Sequence, residues 1–222
     1  MLTLGVDDAG RGPVIGPMVL AGCLIDDKVS KDLKKLGVRD SKQLTDKRRE
    51  ILAKKIKEVA DTFEVIIVPP SVIDGDGNGE RTKLNEIEAI AVGKIINRIN
   101  KGFGKIRVVV DCPSTSIVKW TDYLKTRILN LSNLDLSCEH KADKNHVAVS
   151  AASILAKSVR EKEMSKLKAK YGDGIGSGYT SDPLTQRFLE KNVVKYDKEG
   201  IFRKTWETYK RVKRNKGQRK LF

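Results

Sequence analysis

Asp7 and Asp8 follow the apolar run Leu2, Leu4, Val6, and the chain then turns through Gly10-Arg11-Gly12-Pro13. Two adjacent carboxylates where a strand stops suit a divalent metal. Successive side chains of an extended strand point to opposite faces. Asp7 and Asp8 therefore converge on one ion only if the strand ends or bulges there, and the glycines that follow permit it. Arg11 stands between two residues without side chains, which sets a guanidinium and backbone amides beside the acids. Acid next to exposed amides suits a divalent cation together with a phosphate group. The alternative is a plain strand-to-turn junction, where Asp is common for its local hydrogen bonds.

Two further acids have the same character. The run Ile106 to Val110 is aliphatic except for Arg107, as expected of a strand buried on both faces in the middle of a sheet. Asp111 closes that run at its carboxyl end, where open α/β folds place their ligands. Asp143, in His140-Lys141-Ala142-Asp143, precedes a helix carrying Ser150-Ala151-Ala152-Ser153-Ile154. It is either another acid of the same site or a cap for that helix. Carboxylates gathered within several angstroms repel by about 4 kcal/mol per pair at an effective dielectric near 20. Without cations such a cluster shifts its pKa values upward.

Positioning these acids falls to an alternating set of elements. Leu2 to Asp7 and Met18 to Ile25 read as an antiparallel hairpin of strands. A helix follows over about Thr45 to Ala60, then a β-branched strand from Thr62 to Val68 stopped by Pro69-Pro70, then a helix over Leu84 to Asn100 with Ile87, Ala91, Ile95 and Ile99 on one face. The strand at Ile106 to Val110 leads to a helix over about Ser116 to Asn130, a fifth strand near Leu134 to Cys138, and a long helix from Val147 to about Lys170. Strands first and βαβα afterwards make an α/β fold with a mixed five-stranded sheet and helices on both sides. From Gly172 the chain reads as a glycine-rich loop and two further helices.

Charge narrows the partner. Lys plus Arg is 44 against Asp plus Glu 29, a net +15 over 222 residues, the footprint of a protein that meets polyphosphate. With 39% hydrophobic and 33% charged residues the chain is globular with one sizeable core. No stretch approaches the roughly 18 apolar residues of a membrane span and no basic-then-apolar leader is present, so a cytoplasmic location is expected. Cys23, Cys112 and Cys138 are odd in number and widely spaced, which argues against a disulfide framework or a zinc site.

Four segments together resemble the ribonuclease HII family, the type 2 ribonucleases H, in its archaeal branch. Gly5-Val6-Asp7-Asp8-Ala9-Gly10-Arg11-Gly12-Pro13-Val14-Ile15-Gly16-Pro17 looks like its N-terminal signature, and Asp40-Ser41-Lys42-Gln43-Leu44 is similar to its Asp-Ser-Lys-x-Leu segment. Asp111 and Asp143, with the Ser-Ala-Ala-Ser-Ile helix, match its later acidic positions, and Gly176-Ser177-Gly178-Tyr179-Thr180-Ser181-Asp182-Pro183 matches its tyrosine loop. The resemblance implies a ribonuclease H-like catalytic domain over residues 1–171 and a C-terminal helical substrate-binding part over 172–222. It implies hydrolysis of RNA in RNA/DNA hybrids and incision of DNA on the 5′ side of embedded ribonucleotides, leaving 3′-hydroxyl and 5′-phosphate ends. Asp7, Asp8, Asp111 and Asp143 would hold two Mg2+ or Mn2+ ions. Gly10, Arg11 and Gly12 would read the 2′-hydroxyl through backbone groups, Tyr179 would pack on the sugar at the DNA side of the junction, and Lys42 would contact a phosphate. The family's second acid is usually Glu, whereas this chain has Asp8, shorter by one methylene.

Other patterns are weaker. Gly10-x-Gly12 with Gly16 has the wrong spacing for a dinucleotide loop, and Pro13 and Pro17 interrupt the helix such a loop needs. Asp74-Gly75-Asp76-Gly77-Asn78-Gly79 matches the first half of a calcium loop, but Asn85 stands where Glu is required and Pro69-Pro70 argue against an entering helix. Residues 203–220 hold nine basic side chains against the single acid Glu207, which suits phosphate contact. Phe202, Trp206 and Tyr209 are spaced as a helix face packed on the core. Gln218-Arg219-Lys220-Leu221-Phe222 resembles the start of a sliding-clamp-binding motif, the alternative being a frayed basic tail. Two other function classes share part of this pattern: another nuclease or recombinase on the same sheet, and a noncatalytic RNA- or hybrid-binding protein. Neither accounts for acids at strand ends, the Gly-Arg-Gly loop and Tyr179 together.

Overall fold

The computed structural model describes residues 1–38, 44–75 and 82–218. Along the chain run β1 (Leu2–Ala9), β2 (Met18–Ile25), α1 (Asp27–Lys35), α2 (Asp46–Val59), β3 (Thr62–Val68), α3 (Pro70–Asp74) and α4 (Leu84–Ile99). There follow β4 (Ile106–Asp111), α5 (Ile117–Lys125), β5 (Leu134–Glu139), α6 (Ala142–Asn145), α7 (Val147–Tyr171), α8 (Pro183–Asn192) and α9 (Glu207–Gln218). These elements form two compact units: Met1–Ala9, Val19–Ile66 and Lys83–Val159 make the first, and Gly10–Met18, Ile67–Thr82 and Arg160–Phe222 the second.

The five strands lie in the order β3-β2-β1-β4-β5. β1 pairs antiparallel with β2 and parallel with β4, and β4 pairs parallel with β5. This is the mixed sheet expected from the alternation of elements. β2 is buried at every position, and Val108, Val109 and Val110 of β4 are buried as well. A strand covered on both faces can be apolar throughout.

On one face Val19, Ala21, Cys23 and Ile25 pack with Ala148, Ala151, Ala152, Leu155 and Ala156 of α7. Small residues on α7 bring the helix backbone close to β1, and Gly5 is where they meet. A Cβ on Gly5 would lie 2.1 Å from the carbonyl carbon of Ala148, so any side chain there drives helix and strand apart. Gly22 plays the same part on the other face, where a Cβ would lie 2.4 Å from Ile95 of α4.

Several boundaries differ from the expectation. α1 has only Leu33 buried, so it lacks the apolar stripe that periodicity detects; its N-terminus is fixed by Asp26, which accepts from the Val29 amide at 2.7 Å. Pro70 does not exclude a helix but opens the short α3 at its first position, where a missing N–H costs nothing. The helix expected over Ser116 to Asn130 ends at Lys125. Beyond it the Asn97 side chain binds the Arg127 carbonyl and the Leu129 amide, replacing helical bonds with bonds to α4.

The second unit has its own core of Val14, Ile15, Ile175, Phe188, Leu189, Val193, Ile201, Phe202 and Tyr209. Its aromatics pack in a chain, Phe188 with Tyr196 at 6.0 Å and with Phe202 at 6.5 Å, and Phe202 with Tyr209 at 5.8 Å between ring centroids. Phe202 is not helical, however: it forms an isolated bridge with Ile15, and α9 begins only at Glu207. The spacing of Phe202, Trp206 and Tyr209 therefore marks side chains packed on this core, without one helix running through all three. No helix among the described residues is long and apolar enough to cross a membrane.

Candidate active site

In the first unit the parallel ladder between β1 and β4 stops at the acids, where β4 ends and β1 runs on against β2. Val6 is in register with Val110, so Asp7 and Asp111 each stand one residue past the last paired position of this parallel ladder. Equal parity puts them on the same face of the sheet, the face that carries α7. Asp8 is on the opposite face. β1 neither ends nor bulges at the acids: Asp7 pairs with Ala21, Asp8 with Leu20 and Ala9 with Val19 without a break. The strand end expected at Asp7 lies two residues later, because β2 continues to supply partners.

Asp7 is 6% exposed and held from two sides. Its Oδ1 accepts from the Asp8 amide at 2.7 Å, and the Ser153 hydroxyl of α7 donates to its carboxylate. Burial first, then the charge of Asp8, and after it that of Asp111, keep the Asp7 carboxyl well above the ordinary carboxylate range against those hydrogen bonds. Asp111 accepts from the Ala142 amide at 2.9 Å, which ties the end of β4 to α6. Asp143 is buried one residue further along α6 and lies within that short helix, not before α7 as a cap. It lines a cavity of about 300 Å3 with Lys34, Lys144, Asn145, His146 and Ser150. α6 is entered through Lys141 at φ 57, left-handed without being glycine.

Asp7, Asp8 and Asp111 also line a recess of about 10 Å3 with Leu20, Val92, Val110, Trp120 and a further acid, Glu88. Glu88 is 1% exposed on α4. Sequence reasoning passed over it, although Glu88, Val92, Ile95 and Ile99 follow helical spacing and mark it as the one acid on an apolar stripe. Among the described residues no three His, Cys, Asp or Glu side chains lie close enough together to hold a metal ion by themselves.

The second unit brings the other expected residues together. The amides of Val14 and Ile15 both donate to the Gly178 carbonyl, at 2.9 and 3.2 Å, so the loop after Gly10 and the loop carrying Tyr179 are joined directly. Gly178 is fixed in turn by its amide bond to the buried Thr185 hydroxyl at 2.9 Å. Tyr179 is 39% exposed, with the Arg160 guanidinium 5.0 Å from its ring centroid. Arg160 is buried, and its Nη2 donates to the Ser177 carbonyl at 3.0 Å. Lys42 lies outside the described residues.

The ribonuclease HII family model matches residues 4–209. The chain belongs to the ribonuclease HII family. Ribonuclease HII of Methanococcus maripaludis strain C6 is 40% identical to it, over 100% of this chain and 91% of that protein. Among solved structures, ribonuclease H2 of Pyrococcus horikoshii superposes with a TM-score of 0.83 at 38% identity, covering 97% of this chain and 98% of that one. Ribonuclease HII of Archaeoglobus fulgidus, solved in complex with PCNA, gives 0.81 at 36% identity, covering 95% and 96%. The chain is a ribonuclease H, an endonuclease that hydrolyses phosphodiester bonds, on a ribonuclease H-like sheet with a C-terminal helical extension.

Within this ribonuclease HII frame the supporting residues were the least visible beforehand. Ser153 was read only as a small residue on α7, yet it orients Asp7. Arg203 and Trp206 were counted among basic and aromatic residues of the C-terminal stretch, yet both bind backbone carbonyls of the Gly10–Gly16 loop. A lone Arg in a run of exposed cations carries no sequence signal that it is buried.

Proposed function

We propose that this ribonuclease H cleaves the RNA strand of RNA/DNA hybrids and incises DNA on the 5′ side of embedded ribonucleotides, leaving 3′-hydroxyl and 5′-phosphate ends. The observation that carries the reading is that Asp7 and Asp111 stand side by side on one face, just past the last pair of the parallel ladder between β1 and β4, in a chain that matches the family from residue 4 to 209. Asp7, Asp8, Asp111 and Asp143 are assigned to hold two Mg2+ or Mn2+ ions.

Asp7 and Asp111 share a face of the sheet and fit such an ion; Asp8, turned to the other face of an unbroken strand, is kept in the set on the family match. The donors are all carboxylate oxygens, and the Asp7 carboxyl, raised first by burial and then by the charges of Asp8 and Asp111, is a group whose charged form a divalent cation would stabilise. When bound, two ions would activate a water and stabilise the leaving oxygen. The chain's own part is orientation: Ser153 and the Asp8 amide fix the Asp7 carboxylate, and the Ala142 amide fixes that of Asp111.

Substrate choice is assigned to the second unit. Gly10, Arg11 and Gly12 read the 2′-hydroxyl, the group that separates RNA from DNA, and Tyr179 packs on the sugar at the DNA side. The charge of +15 supplies sequence-independent attraction to the duplex, with Lys42 on a phosphate and the helical part over 172–222 as the substrate-binding extension. The residues from Gln218 to Phe222 are proposed to contact a sliding clamp, as the complex formed by the Archaeoglobus protein suggests. The enzyme is placed in the cytoplasm with its nucleic acid. Incubation with a duplex containing one ribonucleotide, with and without Mg2+ or Mn2+, tests the reading. Cleavage only with the ion, and none of an all-DNA duplex, is the expected result.

A further inference from the structure

The carbonyl oxygens of the Gly10–Gly16 loop are collected by two side chains far away in sequence. Arg203 is 0% exposed, and each arm of its guanidinium is used: Nη2 donates to the Gly10 carbonyl at 2.6 Å, Nη1 to that of Arg11 at 2.7 Å and Nε to that of Gly16 at 3.0 Å. Trp206 donates from its indole nitrogen to the Gly12 carbonyl at 3.0 Å, and its ring lies 5.1 Å from the Arg203 guanidinium. The Arg203 amide donates to the Val14 carbonyl at 2.8 Å. Pro13 is thus the only residue from Gly10 to Val14 whose carbonyl is not bound by Arg203 or Trp206 in these contacts.

A buried charge needs this many partners. An isolated guanidinium out of water is very unfavourable, whereas a planar fork that cannot lose its proton matches several carbonyls at once. The loop is shaped to supply them, with Gly10 at φ 79 and Gly16 at φ 86. The segment carrying Arg203 is itself anchored: the Asp74 carboxylate accepts from the Lys204 amide at 2.8 Å, from the Thr205 amide at 3.1 Å and from the Thr205 hydroxyl at 2.7 Å. Asp74, the first acid of the calcium-like pattern, therefore has a structural use.

We propose that Arg203, with Trp206, is the positioning residue for substrate recognition: the two side chains draw the carbonyls of Gly10, Arg11, Gly12 and Gly16 to one side, so that the segment from Gly10 to Gly12 meets a nucleic-acid strand with its amides rather than its carbonyls. A phosphate or a ribose hydroxyl approaching carbonyl oxygens instead would meet acceptors, which repel the phosphate and offer the hydroxyl only one of its two bonding modes. The inference rests on the reading that this loop recognises the 2′-hydroxyl.

Arg203→Lys and Trp206→Phe separate the clamp from general stability. Lysine keeps a charge but has no fork, and phenylalanine keeps the ring but has no N–H. In the full chain, amide hydrogen exchange at Val14, Ile15 and Gly16 should rise about fivefold or more in each variant, the scale of losing one hydrogen bond, while exchange within α4 stays as in the wild type. The preference for a duplex with one ribonucleotide over an all-DNA duplex, measured as a ratio of affinities in chelator, should fall by a similar factor of about five, with all-DNA affinity retained. Unchanged loop exchange in both variants overturns the clamp. Raised exchange with an unchanged preference overturns its link to recognition. A wild type with no preference for the ribonucleotide defeats the 2′-hydroxyl reading and with it that link, and the exchange data still decide whether Arg203 holds the loop. Should Arg203→Lys fail to fold, Trp206→Phe alone decides both points.

Discussion

A Cβ on Gly12 would lie 3.9 Å from Cε1 of Tyr179 and touch nothing else outside its chain neighbours, whereas one on Gly10 would lie 2.2 Å from Nε of Arg160. The two glycines of the loop therefore have different reasons to be glycine. Gly10 also has φ 79, a conformation that costs other residues roughly 1–2 kcal/mol. Gly10→Ala should lower stability by about that amount, and Gly12→Ala by less than about 0.5 kcal/mol, both measured by denaturant unfolding. Cleavage should fall in both: the Gly12 methyl beside Tyr179 occupies the approach of the strand, and the Gly10 methyl displaces Arg160, over which the Tyr179 ring lies. Wild-type cleavage by Gly12→Ala would show that no strand comes near this glycine.

Tyr179 supplies a half-exposed ring over Arg160, so its face and not its hydroxyl is expected to matter. Tyr179→Phe should cleave nearly as the wild type does. Tyr179→Ala should lose about tenfold on a duplex with one ribonucleotide, the scale of one aromatic contact, and less on a long hybrid, where neighbouring registers compensate. Equal losses on the two substrates would assign Tyr179 to the fold or to general binding.

The strands and most helices were legible because burial repeats along them: β4 is aliphatic from Ile106 to Val110 apart from Arg107, and α2, α4 and α7 show periodic apolar positions. α1 was not, since one buried leucine makes no period, nor was the end of α5, which is set by Asn97 reaching from α4. Asp7, Asp111 and the Gly10-Arg11-Gly12 loop stood out through residue type at a strand end or turn. The split of Asp7 and Asp8 onto opposite faces depended on how far β2 extends, which no local pattern reveals. Arg203 carries no local signal, because its burial is decided by partners remote in the chain, whereas Glu88 is marked by its place on the apolar stripe of α4.

Asp182 provides a pH-dependent stability term outside the acidic cluster. The Ser177 amide above all, with the Leu184 amide and Thr185, holds its carboxyl down to about 2 from the ordinary 3.8. A lowered folded-state pKa means that its contribution is complete above the unfolded value and is lost as pH falls through the folded one. Asp182→Ala should cost about 1 kcal/mol at neutral pH, the usual worth of such a cap, and the gap to wild type should narrow in acid as Asp182 protonates. A gap that is constant down to pH about 2 would contradict the assignment.

Asp8 shares its recess with Glu88, and that space of about 10 Å3 holds no more than one water. The longer arm of Asp8→Glu therefore cannot settle there and should swing toward the strand end, where it would reach a bound ion that the shorter Asp8 would hold only through water. Since magnesium dehydrates reluctantly, the substitution should lower the Mg2+ concentration for half-maximal cleavage. It should also narrow the gap between Mn2+ and Mg2+ activity. Metal titrations of both proteins on one substrate decide this; an unchanged or weaker Mg2+ response would show that the shorter acid is already accommodated.

The central claim, that Asp7 and Asp111 carry the metal-dependent chemistry, is tested most directly by single-turnover cleavage of a duplex with one ribonucleotide by Asp7→Asn and Asp111→Asn. Each substitution keeps the shape of the side chain but removes its charge, so hybrid binding and fold should survive. The metal-free protein should be as stable or more so, because carboxylate repulsion is relieved. Loss of several kcal/mol of barrier lowering corresponds to about a thousandfold or more in rate. Cleavage reduced to that extent, with hybrid affinity retained, is the result predicted. Cleavage near the wild-type rate in either variant would contradict it.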